Sequence, residues 1–166
     1  RAVRIDQAER ILDAAAELYA RHGVHGVGMG EVARAAGYSR ATLYRYYKDR
    51  RSLHIAFAQR EAQRIGALVL AEAEDLADAV LAAVRHVREA PQLVAWFGAA
   101  DAATTAEFAQ SDEVIEALGL PAIGDRDTAR WLVRVIVSLL IVPGRDEAEE
   151  RAIVERFVVP GLSARS

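Results

Sequence analysis

The sequence predicts an all-α fold, and three observations carry that prediction. Ala, Leu, Arg and Glu together make up half of the 166 residues, and these are helix formers. Apolar side chains recur at intervals of three and four in segment after segment, whereas the alternation that marks a half-buried strand is nearly absent. Gly23, Gly37, Gly119, Pro143 and Pro160 fall between the periodic segments, and with only four prolines and no long Ser/Gly tract the chain does not read as disordered. Hydrophobic residues make up 52%, enough for a sizeable core in one domain or two small ones.

The first helix is expected over Asp6–Arg21, where Ala8, Ile11, Leu12, Ala15, Leu18 and Tyr19 form one apolar stripe. Gly23 stands near its C-cap. His22 and His25 flank the following loop. An HxxH pair needs further ligands to hold a metal, and none stands at useful spacing, so a polar loop is expected and no metal site. A short helix follows over Met29–Ala36, with Val32, Ala33 and Ala36 on one face. Gly37 permits a tight turn. Ser39 then occupies an N-cap position, where its hydroxyl can accept from an orphan N–H. The next short helix runs from Arg40 to Tyr46 or Tyr47. Two short helices joined by a glycine-containing turn form the pattern of a DNA-binding helix-turn-helix. Leu43 and Tyr47, four apart, face the core, as does Tyr38. Arg40, Thr42, Tyr44 and Tyr46 point elsewhere. Gly30, inside the first short helix, costs about 1 kcal/mol relative to Ala.

Asp49 reads as the N-cap of a long helix, Arg50–Ala73, about 35 Å in length. Leu53, Phe57, Ile65, Leu68 and Val69 are its expected buried positions, and His54 is read as packing between two parts of the molecule. Further helices are expected over Asp75–Glu89, from Pro91 through Phe97, and over Phe108–Leu118, the last ended by Gly119 and Pro121. Ala99–Ala106 has no clear period and is expected to be a loop. Asp127–Val142 is the most apolar helix, with Trp131, Leu132, Val135, Ile136, Leu139, Leu140 and Val142 covering most of its circumference. Such a helix needs burial on several sides, which points to a second subunit. Pro143 and Gly144 stop it. Asp146 and Glu149 open a final helix whose stripe is Ile153, Val154, Phe157 and Val158, ended by Pro160–Gly161.

Ala33, Ala35, Ala36, Gly37, Ser39, Thr42, Leu43, Tyr44, Tyr46, Tyr47, Arg50 and Leu53, at their fixed spacing, closely resemble the TetR (tetracycline-repressor) family of bacterial transcription regulators. The resemblance covers Ile11 to about Phe57; the remainder matches only in helical character. It implies two domains, a helix-turn-helix DNA-binding domain over 1–48 and a helical effector-binding and dimerisation domain over 49–166. It further implies that Arg40, Ala41 and Thr42 meet base edges while Tyr44, Tyr46 and Arg50 grip the DNA backbone. Arg45 does either, and Gly28, Arg34, Ser39 and Lys48 complete the DNA-binding set. Val27 and Gly28 stand where the family places two threonines, the second of which caps the helix and touches a phosphate. Gly28 offers no hydroxyl, which weakens that expectation.

Members of the family dimerise through their last two long helices. That assigns Trp131, Val135, Leu139, Val142, Val154, Phe157 and Val158 to a homodimer interface, with ordinary monomer core as the competing reading. The resemblance also implies a small, largely apolar effector among the middle helices. Phe57, Trp96, Phe97, Phe108 and Trp131 are its expected walls, and Arg85, His86, Gln92, Thr104 and Gln110 its expected polar partners; the competing reading is that the aromatics only fill core. The expected function is a repressor released from a pseudo-palindromic operator by that effector.

Charge and composition bound the alternatives. Residues 1–60 hold eleven Lys/Arg against six Asp/Glu, and residues 61–166 hold ten against eighteen. A basic front on an acidic chain suits nucleic acid at one end. There is no cysteine, which excludes disulfides and thiolate metal sites and suits the cytoplasm. The apolar run Trp131–Val142 is too short to span a bilayer. A chain that opens on Arg1 rather than Met, without a signal-like segment, is expected to be part of a longer cytoplasmic product. Arg1 and Arg4 can form a basic arm on DNA or simply fray. No GxSxG, GxGxxG, phosphate loop or His–carboxylate metal pair is present, so neither catalytic residues nor a cofactor is expected. The rival to a DNA-binding regulator is a helical ligand-binding or protein-interaction module whose DNA affinity is weak or lost.

Overall fold

The computed structural model describes residues 2–99, 102–119 and 125–163. The elements are α1 (Ala2–His22), α2 (Met29–Ala35), α3 (Arg40–Tyr46), α4 (Arg50–Glu72), α5 (Leu76–Arg88), α6 (Pro91–Ala99), α7 (Ala102–Gln110), α8 (Asp112–Ala117), α9 (Arg126–Ile141) and α10. The last is α-helical over Glu147–Ile153, π-helical over Val154–Val158 and α-helical again over Val159–Ser163. No strand occurs among the described residues.

Short polar side chains fix where the helices start, because the first turn of a helix leaves N–H groups without internal partners. Asp49 accepts from the Ser52 N–H at 2.7 Å, and Ser52 Oγ accepts in return from the Asp49 N–H at 3.2 Å. Asp75, Asp125 and Asp146 cap α5, α9 and α10 in the same way, accepting from Asp78, Thr128 and Glu149 at 2.8, 2.7 and 2.8 Å. Gly23, Gly37 and Gly119 carry the positive φ values that end or turn the chain.

Several boundaries differ from the sequence reading. Helix α1 begins at Ala2, four residues early. The segment expected as a loop, 99–106, is largely helical: α6 runs to Ala99 and α7 starts at Ala102, with 100–101 outside the described residues. Its period is weak in the sequence because small alanines carry little contrast. The helix expected over Phe108–Leu118 is broken at Ser111, which caps α8. Pro160 does not end α10. A proline crowds the carbonyl four residues back, and the widened π-helical turn over Val154–Val158 lies just before it. Leu68 is exposed rather than buried. Pro121, Arg1 and the side chains of Arg4 and Thr104 lie outside the described residues.

One apolar cluster runs from Ile11 in α1 to Val158 in α10, so packing does not break at residue 48. Its seam is aromatic. Phe57 of α4 stacks on Trp96 of α6 at 5.4 Å, and Tyr19 of α1 meets both edge-on at 5.1 and 5.9 Å. A polar weld runs beside it: Arg60 of α4 donates to Asp13 of α1 at 2.7 Å and to the Leu12 carbonyl at 3.3 Å. His54 joins the seam, 5.7 Å from Tyr19 and 5.1 Å from Trp96, which is the packing role the sequence suggested.

Helix α9 satisfies most of its apolar circumference within the protomer. Leu132, Val133, Ile136, Val137 and Leu139 are buried, as are Val154 and Val158 of α10. Leu139, Val154 and Val158 therefore belong to the protomer's own core, not to a dimer face; the chain packs α5 against α9 and α10 and covers them. Trp131, Val142 and Phe157 remain exposed, joined by Ile141 and Ile153, and Val135 is half-buried.

Glu150 is the keystone of that packing. Its carboxylate is almost fully buried, accepts from Arg88 of α5 at 2.7 and 2.9 Å and from the Gly144 N–H at 2.9 Å, while Arg88 also reaches the Leu139 carbonyl at 2.9 Å. The Arg88 guanidinium holds this carboxyl below the usual range. Removing one partner strands a buried charge. Arg88→Ala should lower unfolding stability by roughly 2–3 kcal/mol in denaturant titration, at the modest end because Arg88 is itself 40% exposed.

Candidate nucleic-acid interface and effector cavities

The turn between α2 and α3 is closed by backbone. The Tyr38 N–H donates to the Ala33 carbonyl at 2.9 Å and the Gly37 N–H to Arg34 at 3.1 Å, with Gly37 at φ 75°, the arrangement that ends a helix in a left-handed residue. Ser39 Oγ then accepts from the Thr42 N–H at 3.1 Å and lies 3.0 Å from Thr42 Oγ1. Leu43, fully buried, anchors α3 to the core of the head. The anchor decides what faces out. Arg40, Ala41, Tyr44 and Arg45 are exposed on α3, with Arg34, Ser39, Lys48 and Arg50 exposed around it. Thr42 is half-buried.

Two expected backbone-gripping residues are already engaged. The Tyr46 hydroxyl donates to Gln7 Oε1 of α1 at 2.5 Å, and its ring packs on the core with Tyr38 and Tyr47. Arg50 Nη2 donates to the Val24 and His25 carbonyls at 2.7 and 2.9 Å, bracing the loop before α2. Gly28 is the N-cap of α2 at φ −95° and ψ 157°, without a side-chain cap; its N–H donates instead to Glu31 Oε2 at 2.8 Å. His22 and His25 flank that loop, and no metal-holding group of three or more ligands occurs among the described residues.

In the body, the residues expected to wall an effector site are dispersed. Phe57 and Trp96 fill the seam. Phe97 and Phe108 meet edge-on at 5.4 Å. They line a narrow interior void of about 30 Å³ together with Glu61, Ile65, Leu93, Val133 and Ile136. Trp131 lines an outer groove with Phe157, Gly161 and Leu162. Arg85 is on the surface, paired with Glu72, which also sits 2.9 Å from His86 Nε2. Sequence reasoning missed two features. Glu61 is buried in mid-α4, accepting from Arg64 at 3.0 Å and Gln92 at 3.0 Å. A larger apolar cleft of about 520 Å³ opens between the end of α4, α5, α8 and α9, lined by Gly66, Val69, Leu70, Leu76, Val80, Leu132 and Ile136 among others. It shares Ala83, Leu118 and Ile136 with the interior void. The run of small residues at 66, 67, 73, 79 and 83 was its only sequence signal.

The comparisons with known proteins fit this geometry. Residues 11–57 match the model of the bacterial regulatory proteins of the tetR family. An uncharacterised HTH-type transcriptional regulator of Mycobacterium tuberculosis is 44% identical over 175 positions, spanning 96% of this chain and 87% of that protein. The chain belongs to the TetR family. It is a DNA-binding transcriptional regulator. Among solved structures it is similar in fold to the TetR family repressor AlkX of a Dietzia species, at TM-score 0.69 and 20% identity over 95% of each chain. A TetR transcriptional regulator of a Rhodococcus species gives TM-score 0.68 at 24% identity, covering 97% of this chain and 99% of that one.

This TetR-family head is joined to its body across buried polar atoms. His54 Nε2 and Trp96 Nε1 are both buried without a hydrogen-bond partner among the described residues. A void of about 20 Å³ touches both side chains, together with Arg51, Glu107 and Ser111. That is room for one water, which can donate to the imidazole and accept from the indole. Burial first, then Arg50, pushes the His54 pKa from 6.5 down to about 4. The folded protein therefore binds fewer protons than the unfolded chain between those values, so this contribution is intact above about pH 6.5 and is lost as pH falls toward 4. The melting temperature of wild type should drop more steeply across that window than that of His54→Gln, which a pH series by differential scanning calorimetry would read.

Proposed function

We propose that this regulator is a homodimeric repressor that holds a pseudo-palindromic operator and is released by a small apolar effector. Repression and effector release are typical of the family. The observation that carries the DNA half is the outward face of α3, with Arg40, Ala41, Tyr44 and Arg45 exposed beside Arg34, Ser39 and Lys48, and Thr42 at the Ser39 cap. Arginine pairs bidentately with guanine in the major groove, and Tyr44 can donate to a phosphate without reading sequence. Tyr46 and Arg50 act chiefly by holding the head in shape. Such a protein works where the chromosome is, in the cytoplasm. The second reading, a module with weak DNA affinity, is favoured by Gly28, which supplies no hydroxyl at the α2 cap.

The dimer half rests on the exposed apolar face of α9 and α10. Trp131 and Phe157 share one groove of about 340 Å³, Val135 and Ile153 lie on the same two helices, and Val142 is the C-cap of α9. A two-fold pairing there would set two α3 helices in successive major grooves, about 34–36 Å apart. A duplex enriched by the protein from a random pool should be inverted-repeat in character, and its affinity should fall with salt at a log–log slope of about −0.9 per phosphate neutralised. Arg40→Ala combined with Tyr44→Phe should abolish the preference. Salt-independent affinity, or no enrichment at all, favours the second reading.

The effector half rests on the 520 Å³ cleft. Among the described residues no Lys or Arg lines it, while Glu74 and Asp75 are exposed members of its wall. A carboxylate ligand would meet like charge without a cationic partner. The occupant is therefore an apolar chain with a neutral or cationic end, and it acts only by binding the DNA-incompetent state more tightly. Decanol or decyltrimethylammonium should raise the melting temperature and loosen operator binding, and decanoate should do neither. If decanoate alone acts, the polarity is misassigned; if none acts, the cleft is not the effector site.

A further inference from the structure

Gly30 stands inside α2, where glycine is a poor helix former. Its backbone does not need glycine: among the described residues only Gly23, Gly37 and Gly119 have positive φ. Its neighbour does. A Cβ placed at Gly30 would lie 2.5 Å from Arg40 Nη2, 2.7 Å from Nε and 2.9 Å from Cζ, so the Arg40 guanidinium occupies the space of the missing side chain. The same addition at Gly28 would meet only Glu31 Oε2, at 3.5 Å. Arg40 is the first residue of α3, yet its head group lies across α2 and makes no hydrogen bond or ion pair among the described residues. It is held by contact alone, with its donors unspent.

We propose that Gly30 is a specificity-determining position: by having no side chain it seats the Arg40 guanidinium on α2 and so fixes which base pair that arginine reaches. The proposal rests on α3 being the reading helix. A guanidinium leaving α3 along its own axis and one laid across α2 address different steps of a groove. Seating also restricts a side chain that otherwise samples many rotamers, so less freedom is lost when it pairs with guanine. A side chain at position 30 would lift the head group. Because that head group is the exposed end of a flexible chain, it can move aside without disturbing the fold.

The test is a double-substitution cycle on the duplex that wild-type protein enriches from a random-sequence pool. Wild type, Gly30→Ala, Arg40→Ala and the double variant are compared for affinity, base preference and melting temperature. Gly30→Ala should bind about five- to tenfold more weakly and lose preference at one G·C position, a loss of the size one misplaced bidentate contact gives. Its melting temperature should hold or rise, by up to about 4 °C, because alanine is the better helix former. In the Arg40→Ala background, Gly30→Ala should cost no further affinity. Unchanged affinity and preference for Gly30→Ala would overturn the proposal. So would an equal loss in both backgrounds, which would mean that α2 itself meets DNA at residue 30, or a loss accompanied by a lower melting temperature. Failure of wild type to enrich any sequence would instead remove the reading helix on which the proposal stands.

Discussion

The interaction on which the rest depends is the aromatic seam of Tyr19, Phe57 and Trp96. It joins α1, which supports the head, to α4, which starts in the head, and to α6, which belongs to the body. Aromatic rings at these separations bury large areas and prefer edge-on or offset contacts, so the seam has a definite geometry. Arg60 adds a second tie from α4 to α1. Head and body therefore share a core, and a change in the path of α4 must move α1 and the helices packed on it. The two unpartnered buried nitrogens at His54 and Trp96 sit at the same place. A joint containing a water-sized void is less tightly determined than a filled one, which is the property a pivot needs.

From that seam the chain's two ends acquire different tasks. Toward the front, burial of Leu43 leaves the exposed face of α3 cationic and hydroxyl-bearing, and the cap at Ser39 fixes its pitch. Toward the back, the Arg88–Glu150 pair clamps α10 onto α5 and α9, leaving Trp131, Val142, Ile153 and Phe157 uncovered. Between them, the helices leave a narrow void beside Phe97 and Phe108, a pocket of about 570 Å³ lined by Phe97 and Gln110 among others, and the cleft of about 520 Å³ near the end of α4.

The head was legible almost residue by residue. Its helices are short, its caps are local, and Gly37, Ser39 and Leu43 each act on neighbours within a few positions. Long elements were also legible where Asp capped them, as at Asp49, Asp75 and Asp146. What could not be read was partnership across distance. Leu139, Val154 and Val158 looked like interface residues because helical periodicity says that a face is buried, not by which chain. Tyr46 looked free for phosphate because nothing near it in sequence announces Gln7, 39 positions earlier. Glu61 had no sequence signal at all, because its partner Gln92 lies 31 positions away on another helix. Gly30 looked like a defect, and its explanation lies on another helix.

The central claim is that two copies of this chain present their α3 helices at groove spacing, each head joined to its body by the aromatic seam. The sequence has no cysteine, so Ala20→Cys provides one exposed labelling site per protomer on α1, in the head and outside the residues assigned to DNA. Spin labels there would report the separation of the heads by pulsed dipolar spectroscopy. On the enriched duplex the account predicts a single narrow distribution, at the separation that sets the two α3 helices roughly 34–36 Å apart. An absence of dipolar coupling, or a broad distribution that the duplex does not sharpen, would contradict it.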